Sequence, residues 1–191
     1  VDRAKEISDI VVVSIFVNPT QFARGEDFDD YPNTFSSDQK QLESKGVSAL
    51  FFPSRDEIYP DGIQNDYKVG AIGQILCGAF RPTHFDGVAQ VVKRFFKIVE
   101  PDHAIFGEKD FQQLAIIKSL VERLNLDINI ESVGTQREKD GLAMSTRNQY
   151  LSSEDRKKAP NFYIQLNALK NSILDGSTVE SARLNAIERL N

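Results

Sequence analysis

Residues 10–22 read IVVVSIFVNPTQF, and this stretch carries the strongest structural signal in the chain. Its first part, residues 10–17, is almost entirely β-branched or aromatic. A continuous apolar run of this kind is typical of a strand that is buried on both faces, as in a parallel sheet. The run ends at Asn18 and Pro19, where a polar segment begins. We therefore predict a buried strand with a polar loop at its carboxyl end.

The pattern then alternates between helices and strands up to about residue 135. Apolar residues recur at helical spacing over residues 88–99 and 114–124, which gives each segment one broad apolar stripe. Short apolar runs predict further strands at residues 47–52, 104–106 and 128–133. Strands that alternate with helices favour an α/β fold with a parallel sheet. Beyond residue 135 the sequence is mainly helical and more polar, so we place a domain boundary there.

Composition narrows the classes of function that remain. The chain has 191 residues, of which 23 are Lys or Arg and 28 are Asp or Glu, so its net charge is −5. This balance disfavours a nucleic-acid binder, and no apolar run predicts a membrane span. The single cysteine, Cys77, excludes an internal disulfide framework and fits a reducing compartment, so we expect a cytoplasmic protein with Cys77 in the core. One Cys and two His cannot form a zinc site, so we predict no metal site.

Two polar segments directly follow predicted strands, where ligands bind in open parallel sheets. In residues 18–22, Gln21 can both donate and accept hydrogen bonds, as binding of a hydroxy acid or an amino acid requires. Residues 106–110 read FGEKD. There Gly107 allows a close backbone approach, and a helix start beside Lys109 attracts phosphate. An ordinary loop with a satisfied amide and a surface-charged helix start are the alternatives.

A third polar segment, residues 144–148, reads MSTRN and sets two hydroxyls beside the guanidinium of Arg147. These groups form a compact set of phosphate donors on what we expect to be a movable loop. The alternative is a polar turn that leads into the next helix. Together the three segments favour phosphate binding by position and charge, without a covalent nucleophile.

A fourth segment, residues 81–87, reads RPTHFDG and could place Arg81 near the pocket. For His84 we prefer a structural role, bonded to a neighbouring carboxylate such as Asp86, because a single histidine is a weak signal. The acidic residues 26–30 are expected to form a solvated loop.

Four blocks of sequence together resemble one family, the pantoate–β-alanine ligases, also called the pantothenate synthetase family. The blocks are VVSIFVNPTQF at residues 12–22, GAFRPTHFDG at 78–87, FGEKDFQQL at 106–114 and DGLAMSTRNQYL at 140–151. The resemblance implies a Rossmann-like adenylating domain of the nucleotidylyltransferase superfamily type over residues 1–135. It implies the start of a smaller, lid-like α+β domain over residues 136–191. We expect both domains to be incomplete in this chain.

The resemblance also implies the reaction. Pantoate and β-alanine would be joined to pantothenate through a pantoyl adenylate, with ATP converted to AMP and pyrophosphate. Mg²⁺ is expected to accompany ATP, and the protein is expected to be a homodimer.

Site residues follow from the resemblance position by position. It implies pantoate or β-alanine binding at Asn18, Gln21, Arg81 and Gln113. It implies ATP binding at Gly107, Glu108, Lys109, Asp110, Gln136, Met144, Ser145, Thr146 and Arg147. Of these, Lys109 and Arg147 are expected to be catalytic, because cations there would stabilise charge that develops on the phosphates.

The sequence departs from the family in one important respect. The family carries a His-x-Gly-His motif ahead of the first block, where its histidines support adenylation, and this sequence has no such motif. Two alternatives to the ligase stay open. One is a nucleotidyltransferase on the same superfold, and the other is a chain that only binds nucleotide or a partner chain.

Overall fold

The computed structural model describes residues 1–23, 25–28, 30–32, 34–64 and 67–190. The chain divides into two compact units, Val1–Gly134 and Thr135–Asn191.

In its described residues, the first unit contains the α/β part of the chain. Its helices are α1 (Asp2–Ile7), α2 (Phe35–Ser44), α3 (Arg55–Ile58), α4 (Cys77–Phe80), α5 (His84–Val99) and α6 (Phe111–Leu124). Its strands are β1 (Val12–Ser14), β2 (Ala49–Phe51), β3 (His103–Gly107) and β4 (Asn129–Val133). Short 3₁₀ turns lie at Pro19–Gln21, Ala71–Gln74 and Glu108–Asp110.

The four strands form two parallel pairs. Strand β1 pairs with β2, with Val12 opposite Ala49, and β3 pairs with β4, with His103 opposite Asn129. Helix α2 connects the first pair and helix α6 connects the second, as parallel strands require a crossover. The predicted alternation of strands and helices with parallel pairing is confirmed.

Helices α5 and α6 supply most of the core of this unit. The stripe predicted over residues 88–99 is buried at Val88, Val91, Val92 and Phe96. It packs in one cluster with buried side chains of α6, which include Ile116, Ile117 and Leu120. Because both helices are anchored in the same core, they hold the loops at the carboxyl ends of β1 and β3 in position.

The prediction of a strand buried on both faces over residues 10–17 is wrong. Val11 is buried, but Ile10 is 73% exposed and Val12 and Val17 are each 39% exposed. Among the described residues β1 pairs on one edge only, and its other side borders an apolar groove of about 480 Å³. Strand β3 and helix α5 also line this groove. The apolar run is therefore only partly covered.

The prediction of a buried Cys77 is also wrong, since its side chain is exposed at the start of the short helix α4. The neighbouring apolar residues misled the prediction, because Leu76 and Phe80 are themselves 71% and 88% exposed.

The second unit is mainly helical in its described part. Its elements are a 3₁₀ segment (Thr146–Tyr150), α7 (Ser153–Lys158), α8 (Pro160–Leu174) and α9 (Val179–Leu190). Helices α8 and α9 pack against each other, with Ala182 buried between them. One isolated antiparallel bridge joins Arg137 and Ala143. None of the helices in the described residues combines the length and the apolarity needed to cross a membrane.

We expect Ile117→Ala to destabilise the protein by about 2–5 kcal/mol, because it leaves a cavity at a fully buried position of α6. The same change at Ile98, which is 48% exposed on α5, is the matched control and should cost about 1 kcal/mol or less. Urea unfolding measures both. Equal losses for the two variants would contradict the placement of the core.

Candidate functional site

A buried asparagine organises the loop that follows β1. Asn18 is 2% exposed and caps the 3₁₀ turn Pro19–Gln21. Its Oδ1 accepts hydrogen bonds from the Thr20 backbone N–H at 3.2 Å and from the Tyr59 hydroxyl at 2.9 Å. Its Nδ2 lies 3.2 Å from the carbonyl oxygen of Gly87 and 3.4 Å from Oε1 of Gln21, and it donates to both. The Asn18 amide thus fixes the conformation of the loop and the orientation of the Gln21 side chain.

Tyr59 is part of the same buried arrangement. It is 3% exposed, and burial raises the pKa of its phenol. The phenol therefore stays protonated at neutral pH and remains a donor to Asn18.

Gly87 allows helix α5 to approach this loop. A Cβ atom at position 87 would overlap the carbonyl oxygen of Thr20 and would lie 2.9 Å from the Gln21 backbone nitrogen. Any other residue would therefore push the loop and the helix apart. The FDG sequence at residues 85–87 fixes how closely α5 supports Gln21.

Arg81 is held in place by an ion pair with Glu26. Its Nε and Nη2 lie 2.7 and 2.5 Å from the two carboxylate oxygens, which is a bidentate arrangement. Hydrogen bonds from Arg81 hold the pKa of Glu26 below its ordinary value. The prediction of a solvated acidic loop is therefore wrong for Glu26, whose side chain is 24% exposed. Asp29, in the same run, lies outside the described residues.

The expected bond between His84 and Asp86 is also wrong. The ring of His84 lies 2.6 Å from the backbone oxygen of Gln21 through Nδ1 and 3.1 Å from Nη1 of Arg81 through Nε2. Asp86 instead accepts hydrogen bonds from the backbone of Val69 and from the side chain of Lys68. The structure thus brings Arg81, His84 and Gln21 together, with Arg81 also donating to the Gln21 carbonyl at 3.3 Å.

The second predicted segment forms the turn between β3 and α6. Gly107 ends β3, and Glu108–Asp110 form a 3₁₀ turn directly ahead of the helix. An added Cβ at Gly107 would meet nothing within 4 Å, so there is open space beside this backbone. Lys109 is an exposed cation whose ammonium lies 3.6 Å from the Asp110 carboxylate. Exposed backbone and a cation at a helix start can hold an anion.

Glu108 has a structural contact in the same turn. Its carboxylate accepts a hydrogen bond of 2.9 Å from the Ser132 hydroxyl on β4. This contact ties the turn to the second strand pair.

The two glutamines of the first turn of α6 differ in role. Gln112 accepts from the Cys77 backbone at 3.1 Å and donates to the carbonyls of Ile72 and Ile75, both at 2.8 Å. Gln112 therefore fastens α6 to the segment before α4. This leaves Gln113, which is half-buried, as the glutamine available for a ligand.

In the second unit, a backbone hairpin presents the third predicted segment. The Met144 N–H donates to the Gln136 carbonyl at 2.9 Å, next to the bridge between Arg137 and Ala143. Ser145 then caps the 3₁₀ segment Thr146–Tyr150, accepting from the Arg147 backbone at 3.3 Å. The predicted residues Gln136, Met144, Ser145, Thr146 and Arg147 thus belong to one hairpin and the turn that follows it.

Side chains behind this hairpin set its shape. The Arg137 guanidinium lies over the Tyr163 ring at 3.5 Å and donates to the Gly141 carbonyl at 3.1 Å. Gly141 has a φ of +93°, and a Cβ there would lie 2.9 Å from the Tyr163 ring. Glycine is therefore required at the turn. Arg156 pairs with Asp140 at 2.6 Å and holds the pKa of that carboxyl below its ordinary value.

The described residues contain no group of three or more His, Cys, Asp or Glu side chains that could hold a metal ion.

The family model for pantoate-beta-alanine ligase matches residues 1–191. The chain belongs to the pantoate-beta-alanine ligase family. The family's fold is the predicted Rossmann-like α/β class, in agreement with the parallel pairing seen in the first unit.

Curated relatives in this family are named pantothenate synthetase. The chain is 51% identical to one from Neisseria meningitidis serogroup C over 179 residues, which are 93% of this chain and 64% of that protein. It is 48% identical to one from Caldicellulosiruptor bescii over 187 residues, which are 98% of this chain and 66% of that protein. The chain thus spans about two thirds of the length of these relatives.

Solved structures in the family agree with the fold. The pantothenate synthetase of Thermus thermophilus is 44% identical with a TM-score of 0.95, and the match covers 99% of this chain and 69% of that one. The ligase of Francisella tularensis, solved in complex with beta-gamma ATP and beta-alanine, is 37% identical with a TM-score of 0.85, covering 98% of this chain and 70% of that one.

Sequence reasoning missed Glu26, Tyr59 and Gly87 as parts of this site. Their contacts join residues far apart in the chain: Tyr59 lies 41 positions from Asn18, and Gly87 lies 69 positions from Asn18. The FDG block is visible in the sequence. Its glycine indicates a close approach of two backbone segments, but it does not indicate which segment approaches.

We expect Gly87→Ala to lower the free energy of unfolding by about 1–3 kcal/mol, because the new methyl group overpacks the contact with Thr20. Gly134→Ala is the control, since a Cβ there meets nothing within 4 Å. Thermal or urea unfolding compares the two. Unchanged stability in Gly87→Ala would show that α5 does not press on this loop.

Proposed function

We propose that the protein catalyses the ATP-dependent condensation of pantoate with β-alanine to pantothenate, releasing AMP and pyrophosphate. The family match over residues 1–191 carries this proposal. The Francisella relative, solved with beta-gamma ATP and beta-alanine, supports the same substrates here.

The loop after β1 suits the carboxylate and hydroxyl groups of pantoate. Gln21 offers an amide that both donates and accepts, and Asn18 fixes its orientation through the 3.4 Å contact. We assign Gln21 and Gln113 to pantoate, with Gln21 also close to β-alanine. Asn18 and Arg81 have most of their polar atoms committed to the protein. We therefore propose that Asn18 and Arg81 hold Gln21 in position and do not contact the substrate directly.

The turn between β3 and α6 suits ATP. Open space beside Gly107, exposed backbone at Glu108–Asp110 and the ammonium of Lys109 offer a place for phosphate oxygens. We assign Gly107, Glu108, Lys109 and Asp110 to ATP on this basis.

In the second unit, we assign the backbone of Gln136 and residues Met144, Ser145, Thr146 and Arg147 to ATP as well. The hydroxyls and the guanidinium of this turn are donors suited to phosphate.

The reaction then needs no protein nucleophile. A pantoate carboxylate oxygen attacks the α-phosphorus of ATP, and the bond to the β-phosphate oxygen breaks to release pyrophosphate. The neutral amine of β-alanine attacks the acyl carbon, the bond from that carbon to AMP breaks, and the nitrogen loses a proton. Both steps depend on alignment and on cations near developing negative charge, which we assign to Lys109 and Arg147.

Mg²⁺ would accompany ATP in this proposal. The described residues offer no cluster of three protein ligands, and Mg²⁺ commonly takes most of its ligands from phosphates and water. The phosphates would therefore hold the ion, and no step above is assigned to it. A homodimer in the cytoplasm, without nucleic-acid or membrane partners, completes the proposal on the strength of the family resemblance.

A chain that binds nucleotide without turnover is the second candidate. A nucleotidyltransferase that stops after releasing pyrophosphate is the third. Purified protein incubated with ATP and pantoate, with and without β-alanine, separates them. The ligase proposal predicts AMP and pantothenate only when all three substrates are present. AMP release that does not need β-alanine, or ATP binding without any turnover, would overturn it.

We expect Lys109→Ala to lower kcat by two or more orders of magnitude, because a cation that acts on charge in the transition state is lost. Lys118→Ala, at an exposed position on the same helix α6, should stay within about twofold. Steady-state assays of AMP release measure both. A Lys109→Ala enzyme with near-normal turnover would refute the role given to Lys109.

A further inference from the structure

The hydrogen-bond partners of His84 define its protonation state. The backbone oxygen of Gln21, 2.6 Å from Nδ1, can only accept, so Nδ1 must carry a proton. Nη1 of Arg81, 3.1 Å from Nε2, can only donate, so Nε2 must offer a lone pair. Both contacts are satisfied at once only by the neutral ring with its proton on Nδ1.

A second proton on the ring is incompatible with this arrangement. It would have to sit on Nε2, where it would meet the Arg81 guanidinium and place two positive charges about 3 Å apart. Arg81 cannot easily move aside, because its other nitrogens are fixed by the bidentate pair with Glu26. Protonation of His84 therefore displaces either the Arg81 guanidinium, which also donates to the Gln21 carbonyl at 3.3 Å, or the His84 ring itself, and either movement removes a hydrogen-bond donor from that carbonyl.

Charged groups of both signs act on the His84 ring. Arg81 faces Nε2, whereas Glu26 pairs with Arg81 and also interacts electrostatically with His84 itself. On α5 the nearest carboxylate, Asp86, is engaged by Lys68 and the Val69 backbone. The ring edge of His84 is packed against Phe85, with centroids 4.8 Å apart.

We propose that His84 is a positioning residue: its neutral form fixes the backbone of Gln21, and protonation of its ring releases that loop and weakens pantoate binding. The inference rests on the proposed function, because Gln21 matters here as the pantoate-binding residue. It adds a dependence on pH that the family match does not supply.

Two variants separate positioning from mere packing. In His84→Asn the side-chain N–H₂ takes the place of Nδ1, so it can still donate to the Gln21 carbonyl but cannot take up a proton. In His84→Leu both hydrogen bonds are lost. At pH 7.5 we expect His84→Leu to raise the KM for pantoate about tenfold, with the KM for ATP unchanged, and His84→Asn to stay within about threefold.

The pH profile gives the sharper contrast. From pH 7.5 to pH 5.5, the KM for pantoate should rise more in the wild-type protein than in His84→Asn, because only the wild type can be protonated at this position. Equal pH profiles in the two proteins, or a His84→Leu variant with a normal KM for pantoate, would overturn the proposal.

A spectroscopic measurement tests the same contact without turnover. The chain has two histidines, so His103→Gln leaves the ¹⁵N resonances of His84 alone in the spectrum. At pH 7.5 we expect a protonated Nδ1 and an unprotonated Nε2, together with a shifted Phe22 amide in His84→Leu. A ring protonated on Nε2 would contradict the inference even if the enzyme is a ligase. A wild-type protein with the expected tautomer but no ligation would instead count against the proposed function alone.

Discussion

The close contact between Gly87 of α5 and the loop after β1 is the constraint on which the candidate site depends. Because residue 87 has no side chain, its backbone carbonyl comes within 3.2 Å of the buried amide of Asn18. That amide, satisfied on both its oxygen and its nitrogen, sets the loop and the side chain of Gln21. The Asn18 side chain is 2% exposed, so its amide would carry a large desolvation cost if its hydrogen bonds were broken. Asn18 and its hydrogen-bond partners therefore stay together.

Further contacts hold helix α5 and the loop after β1 in place. Helix α5 is anchored by its apolar face in the shared core with α6, and α6 in turn carries the turn at residues 107–110. The Arg81 guanidinium, which is paired with Glu26, and the ring of His84 both donate hydrogen bonds to the Gln21 carbonyl. The core thus supports two polar loops, each at the carboxyl end of a parallel strand, where open α/β folds bind ligands.

Periodic features of this fold could be predicted from the sequence, whereas distant pairings could not. The apolar stripe over residues 88–99 predicted α5 because helical spacing is a local property of the chain. The predicted burial of residues 10–17 is too high, because an apolar run does not reveal that one edge of β1 borders a groove. Gln21 lies 63 positions from His84, and Arg81 lies 55 positions from Glu26, and no local pattern encodes such contacts.

We propose that Asn18 acts on pantoate through Gln21, and a double-mutant cycle measures that coupling. Calorimetric titration with pantoate would be carried out on the wild type, Asn18→Ala, Gln21→Ala and the double variant. If Asn18 acts through Gln21, Asn18→Ala weakens pantoate binding in the wild type but adds little once Gln21 is gone, which gives a coupling energy of about 1 kcal/mol or more. Effects that add to within about 0.5 kcal/mol would show that the two residues act independently, and would contradict it.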